Sequence, residues 1–514
     1  MSDLNSIQQT AQNQEPAIQL PFDRNHRWWA LATVGIGIFM ATLDASIVNI
    51  SLPSIMGHFK AGLDLSEWVI LIYLLTITGL LLPFGRLADM IGRKKIFLLG
   101  FILFSLGSAL CALSVSMHQL ILFRAFQALG AAMLMANTFA IVTAVFPPKE
   151  RGRALGINGT VVAAGFTIGP TLGGFLVSHL SWRAIFYVNV PVGIIGILMA
   201  VYVLQENLVS PNLGQRKGFD FFGAFLTILG LTALILGLTT GQSGRWGEPG
   251  VITELVIAGF ILPLVPLWEM KAKHPLIDLS LFKIRIFSFG NIAGFLSFLS
   301  LSANVFLMPF FLQLALGYSP VHSGLLMTPT ALAIVVVAPL SGWLSDRFGS
   351  RLLSTVGLAF NTFTLYWLST LTLQATYHDV LFRLVILGIG QGLFQAPNNS
   401  SVMGSAPRER LGIASGFLAM ARTLGQVVGT ALAGTILSVA MVATIGHASL
   451  NVLHSGGTPE EQAKVLTAFM TGMHHAYLVA AAICFCGMWT SLVRGKSKPE
   501  KIPPIPSKAE TNNS

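Results

Sequence analysis

Residues 85–95 read Gly-Arg-Leu-Ala-Asp-Met-Ile-Gly-Arg-Lys-Lys, and residues 342–351 read Gly-Trp-Leu-Ser-Asp-Arg-Phe-Gly-Ser-Arg. Each stretch follows a long apolar run. Gly85, Asp89 and Gly92 recur as Gly342, Asp346 and Gly349 at an offset of 257. A second set of matches sets Gly156, Ile157, Gly169 and Gly173 against Gly412, Ile413, Gly425 and Gly429 at an offset of 256. A single G-x-x-x-D match carries little weight. Two separate matches at nearly one offset indicate a chain built from two related halves.

The surroundings of these loops set the solvent. Apolar residues make up 53% of the chain and charged residues 10%, against about 25% charged in soluble domains; mean hydropathy is +0.71. Fourteen apolar runs can be counted between 28–55 and 468–492, each long enough for a membrane helix and too long for a barrel strand. The expectation is an all-α polytopic membrane protein of fourteen transmembrane helices arranged as 6 + 2 + 6. Residues 1–27 form a polar cytoplasmic tail, 28–204 a first six-helix half, and 205–285 a linker with two extra helices. Residues 286–494 form the second half and 495–514 a second cytoplasmic tail. Residues 1–27 hold no apolar core of a cleaved signal peptide, so the first helix is expected to stay in the membrane.

Charge placement gives the topology. With the N-terminus inside, 24 of the 31 Lys and Arg fall in inner segments and four in outer loops, the positive-inside asymmetry. The net charge of +10 therefore reports orientation, and no nucleic-acid partner is expected. Cys111, Cys484 and Cys486 lie within spans, and no zinc-like spacing occurs. Gly495-Lys496-Ser497 has Thr490 where a Walker loop needs glycine. The inner loops leave no room for an ATPase domain. No cofactor or metal is expected, and any transport has to draw on an ion gradient.

Within this apolar frame Asp44 stands out, in Leu43-Asp-Ala-Ser-Ile-Val-Asn-Ile-Ser-Leu-Pro53. A carboxylate at mid-membrane costs about 2.5–3.5 kcal/mol on insertion scales. Asp44 lies roughly 24 Å along the first span, and Arg124 lies roughly 10 Å from the outer end of the fourth. Both fall in the outer half of the bilayer and can pair. A nearby guanidinium favours the ionised carboxylate, whereas loss of water favours the protonated one. Opening and closing a cavity would alternate these influences and couple proton uptake to conformation. A static ion pair fixing helix register is the alternative. Gln127, Asn137, Asn304, Gln313, Asn398, Asn399 and Arg422 are candidate cavity groups, with interhelical hydrogen bonding the competing role for the amides and structural pairing that for Arg422. Arg383 is read as a snorkelling residue near a helix end. Thr458-Pro459-Glu460-Glu461 reads as a capping box opening a short outer helix.

The chain resembles the fourteen-helix drug:proton antiporter group (EmrB/QacA type) of the major facilitator superfamily. The resemblance rests on Leu43-Asp44-x-x-Ile47-Val48-Asn49-x-x-Leu52-Pro53, Gly85 through Lys95, Arg124-x-x-Gln127-x-x-Gly130 and Gly165-x-x-x-Gly169-Pro170-x-x-Gly173-Gly174. It extends to Trp182-Arg183-x-x-Phe186-x-x-Asn189-x-Pro191, His274-Pro275-Leu276-Ile277-Asp278 and Gly317-Tyr318-Ser319-Pro320. Ala128 and Ser46 depart from the common glycine and threonine, and the tenth span has no acidic residue, which argues against dication export.

The resemblance implies a cytoplasmic gate at Gly85, Asp89, Gly92 and Arg93, with Asp346 and Arg347 as a weaker copy. It makes Gly165, Gly169, Pro170, Gly173 and Gly174 an antiporter motif, in which proline bends the helix and glycines admit a neighbour. It further implies proton-driven export of small lipophilic compounds from a bacterial cytoplasmic (inner) membrane. Membrane lipids are partners, and a periplasmic adaptor and outer-membrane channel are candidate ones. A dedicated exporter of one metabolite or lipid-like product, and a non-transporting receptor or sensor on the same fold, are the competing readings. No nucleophile–base or metal cluster points to an enzyme.

Overall fold

The computed structural model describes residues 24–61, 63–210, 218–241, 246–272, 278–318, 320–445 and 458–495. Among them fourteen helices of fifteen residues or more follow one another without a strand. In the first half these are α1 (Arg24–Phe59), α2 (Leu63–Ile91), α3 (Arg93–Leu113), α4 (Met117–Val145), α5 (Pro148–His179) and α6 (Asn189–Val203). Then come α7 (Phe221–Thr240) and α8 (Pro249–Glu269). The rest are α9 (Arg285–Phe310), α10 (Pro320–Phe348), α11 (Ser350–Leu368), α12 (Tyr377–Ser405), α13 (Leu411–Ile445) and α14 (Pro459–Val493). Twelve helical stretches are long and apolar enough to cross a membrane. In α5 and α11 glycine and hydroxyl-bearing residues dilute the apolar character. The tails read at 1–27 and 495–514 lie almost wholly outside the described residues.

Local chemistry starts the helices. The side chains of Ser116, Asp220 and Thr376 accept from backbone N–H groups at the N-termini of α4, α7 and α12, satisfying donors a helix start leaves free. Gly92 and Gly349 precede α3 and α11 with φ of 116° and 86°. A side chain at either position would be strained, which explains why both loop motifs carry glycine there. The capping box at Thr458 and Glu461 forms, but it opens the long α14. The short separate helix expected there does not exist, because the apolar run continues directly from the box.

The duplication is visible in the packing. In the first half α1 packs against α4, α5 and α6, α2 against α4, and α3 against α4 and α6. The second half repeats each pairing with every label raised by eight. The halves meet along two related seams, α2 with α13 and α5 with α10. Helices α7 and α8 pack on each other, and α7 leans on α2 and α13.

The seams correct one sequence match. At the ends of these helices near Asp89 and Asp346, a methyl added to Gly412 would strike the Gly85 carbonyl, and one added to Gly342 the Gly152 carbonyl. One turn deeper, Gly416 abuts the Leu81 carbonyl and Gly156 that of Ala338. Gly152 and Gly156 thus hold the places of Gly412 and Gly416, at an offset of 260 and not 256. Both helices carry glycines four apart, so a slip of one turn leaves almost as many coincidences in the sequence.

Candidate functional site

Three helices of the first half, α1, α4 and α6, meet at one carboxylate. Asp44 on α1 is fully buried, and Arg124 of α4 reaches it with Nη1 2.5 Å from Oδ2. Arg124 Nη1 also donates to Gln127 Oε1 at 2.8 Å, and Gln127 Nε2 donates to Asp44 Oδ1 at 2.9 Å. Asn189, at the start of α6, donates to Oδ1 at 3.0 Å and to Ser108 Oγ at 3.1 Å. Arg124 Nε donates to the Val69 carbonyl of α2, and its guanidinium lies over the Tyr73 ring at 4.1 Å. Removing both ions from water costs several kcal/mol each, and fixed donors to both carboxylate oxygens offset it. Gln127, read as a cavity group, instead completes this knot. Asn189, Ser108 and Tyr73 were not singled out as site residues. Asn189 was findable, as the polar residue of a helix start next to Pro191.

The two loop aspartates clasp the halves together at one end. Asp89 accepts from Gly412 N at 2.9 Å and Ile413 N at 3.1 Å, both at the start of α13, and from Arg93 Nη2 at 2.8 Å. Asp346 accepts from Gly152 N at 2.9 Å and Arg153 N at 3.2 Å at the start of α5. At Asp89 the carboxylate meets the free donors of a helix N-terminus and the positive end of its dipole. Asp346 thus also crosses between the halves, one turn further into its helix than Asp89. Arg347 departs from the expectation, since it lies 4.1 Å over the Trp343 ring while Arg93 binds both Asp89 and the Val209 carbonyl.

The glycine motif divides. Gly165 and Gly169 lie against Thr42 and Ser46 of α1, and Ser46 Oγ donates to the Gly165 carbonyl at 3.2 Å. Gly173 is buried, whereas a methyl at Gly174 would meet nothing within 4 Å. The helix runs on through position 170; the Pro170 side chain lies outside the described ones, as do those of Asn49 and Pro53.

A small opening between the halves is lined by Phe139 of α4, Phe298 of α9, Gln395, Asn398 and Asn399 of α12 and Arg422 of α13. Asn398 Nδ2 donates to the Gly290 carbonyl, and its Oδ1 accepts from Arg494. Burial, with Arg351 nearby, pushes the Arg494 guanidinium down to about 10. The remaining cavity candidates lie elsewhere. Asn304 accepts from Tyr477 and so ties α9 to α14. Asn137 donates to the Met133 carbonyl of its own helix. Gln313 is exposed in a π-turn ending α9. Arg383 is buried and paired with Asp379 at 3.0 Å, where snorkelling was expected. Asp278, from the His274–Asp278 stretch, pairs with Arg410 at 2.5 Å; 274–277 lie outside the described residues, as does Ser319.

Two repeated six-helix units meeting along two seams with an opening between them are the architecture of a polytopic membrane transport protein. Residues 34–430 match the Major Facilitator Superfamily, and the chain belongs to that family. It is 36% identical over 463 residues to the riboflavin transporter RibZ of Clostridioides difficile, covering 90% of this chain and 96% of that protein. It is 34% identical over 420 residues to the multidrug resistance protein Stp of Mycobacterium tuberculosis, covering 81% and 76%. The crystal structure of the human organic anion transporter MFSD10 superposes with a TM-score of 0.65 at 15% identity, covering 90% of this chain and 99% of that one; at that identity the likeness concerns the fold alone.

Proposed function

We propose that the protein is a proton-coupled antiporter exporting lipophilic compounds from a bacterial cytoplasmic membrane by alternating access. In this reading all fourteen long helices span, as 6 + 2 + 6, with both termini and the clasped ends of the halves in the cytoplasm. The positive-inside asymmetry supports that orientation, and the bacterial relatives support the location. The clasp then describes a state with the cytoplasmic side shut.

The single observation that carries the coupling is the sealed knot at Asp44. Protonating this carboxylate removes the charge that Arg124 and the Gln127 and Asn189 amides address. The register of α1 against α2, α4 and α6 then loses its ionic tie. Helix α1 also carries Thr42 and Ser46, which seat Gly165 and Gly169 of α5, and the far end of α5 is held by Asp346. Proton uptake is thus linked through two rigid helices to the interface between halves.

The test is accumulation of structurally diverse dyes in inverted vesicles of reconstituted protein, with an acid interior and after an ionophore collapses the gradient. Accumulation only with the gradient is expected; no accumulation, or accumulation indifferent to collapse, overturns the reading. A dedicated exporter of one compound is the second reading, favoured by the riboflavin transporter among its relatives. The same dye panel answers it, since such a protein moves one chemical class only.

A further inference from the structure

Three arginines lie within the long helices at depth. Arg124 is answered by Asp44 and Arg383 by Asp379. Arg422 is 8% exposed and has no hydrogen bond or ion pair among the described residues; its Nη1 is buried without a partner. An isolated buried guanidinium is costly, and its planar fork of donors matches carboxylate and phosphate oxygens. No acidic residue lines the cavity. Gln395 and Asn399, each 7% exposed, also line it and engage no other described group, whereas Asn398 is taken by Gly290 and Arg494. Three polar groups without a hydrogen-bond or ion-pair partner among the described residues therefore converge on one space whose other walls include Phe139 and Phe298, the latter ring 6.0 Å from the Arg422 guanidinium. The polar end of a lipophilic compound would meet this lining once the halves part to widen the space.

We propose that this cavity is an anion-selective cargo site, in which Arg422 anchors a carboxylate or similar acidic group of an aromatic compound and Gln395 and Asn399 complete the contact. Arg422 is then a specificity-determining residue, and the chemical class carried is lipophilic organic anions. The proposal rests on the export reading for its biological sense but is tested without it. The probes are fluorescein, an anion, and rhodamine 123, a cation on the same xanthene skeleton. Binding is read by fluorescence polarisation with the purified full chain in detergent, and transport in the inverted vesicles.

Wild-type protein is expected to favour fluorescein by about tenfold, the worth of a charge-assisted hydrogen bond, and Arg422→Gln to erase that ratio. Arg422→Lys is expected to keep part of it. Should Arg422→Gln fail to fold, Gln395→Glu supplies a carboxylate within the same cavity and is expected to reduce the ratio likewise. Equal binding of both dyes by the wild type, binding of neither, or a ratio unchanged in the variants overturns the anion site. Preferential binding without gradient-driven accumulation of either dye sinks the export reading and leaves the anion site standing. Accumulation of both dyes with a ratio indifferent to Arg422→Gln does the reverse.

Discussion

At Asp44 a single carboxylate receives donors from Arg124, Gln127 and Asn189. A hydrogen bond to a charged group contributes about 1.5–3 kcal/mol, and leaving a buried acceptor short of donors forfeits that amount. Asn189→Ala is therefore expected to destabilise the protein by about 1.5–3 kcal/mol, read as a lowered unfolding midpoint in detergent. Arg124→Ala strands the buried carboxylate without its cation and is expected to cost about 3–5 kcal/mol; the same unfolding measurement checks it, and a wild-type midpoint contradicts it. The pair itself was legible, because two ions at matching depth in an apolar chain have few alternatives. The amides were not. Gln127, Asn304 and Gln313 look alike in sequence, yet one serves Asp44, one receives Tyr477 and one is exposed. An amide can donate or accept in any direction, so its sequence position carries almost no information about its partner.

Among the elements, the seams between halves are held by backbone approach and not by interlocking side chains. Gly85 against Gly412 and Gly152 against Gly342 leave no room for a β-carbon. Gly342→Val is expected to force the clasped ends of α5 and α10 apart, at an overpacking cost of about 1–3 kcal/mol. Spin labels at the ends of these helices should report a longer distance by double electron–electron resonance; an unchanged distance contradicts the account. Asp89→Asn and Asp346→Asn each remove a charge from a helix N-terminus worth about 0.3–1 kcal/mol. The two carboxylates hold separate seams of one interface, so the double variant should open that end more than either single one in the same measurement. These contacts were half legible. The loop glycines and aspartates showed themselves by repetition, and the left-handed φ at Gly92 and Gly349 explains their spacing. The partner helix did not show, because nothing in the loop states that Asp89 reaches across more than three hundred residues to Gly412.

In the whole molecule, six pairings among the first six helices recur among the last six, so the two halves are bodies of one design meeting around a shared cavity. In the proposed function, rocking of such bodies would expose the cavity to each side in turn. In the proposed antiport, a group whose charge changes between the two states would turn rocking into pumping, and among the described buried acids Asp44 alone lies in a knot joining five helices of one half. The most direct test is Asp44→Asn in inverted vesicles, comparing gradient-driven dye accumulation with dye exchange across the same membrane at equal pH. Accumulation is expected to be lost while exchange persists. Accumulation by Asp44→Asn with the wild-type dependence on the pH gradient would contradict it.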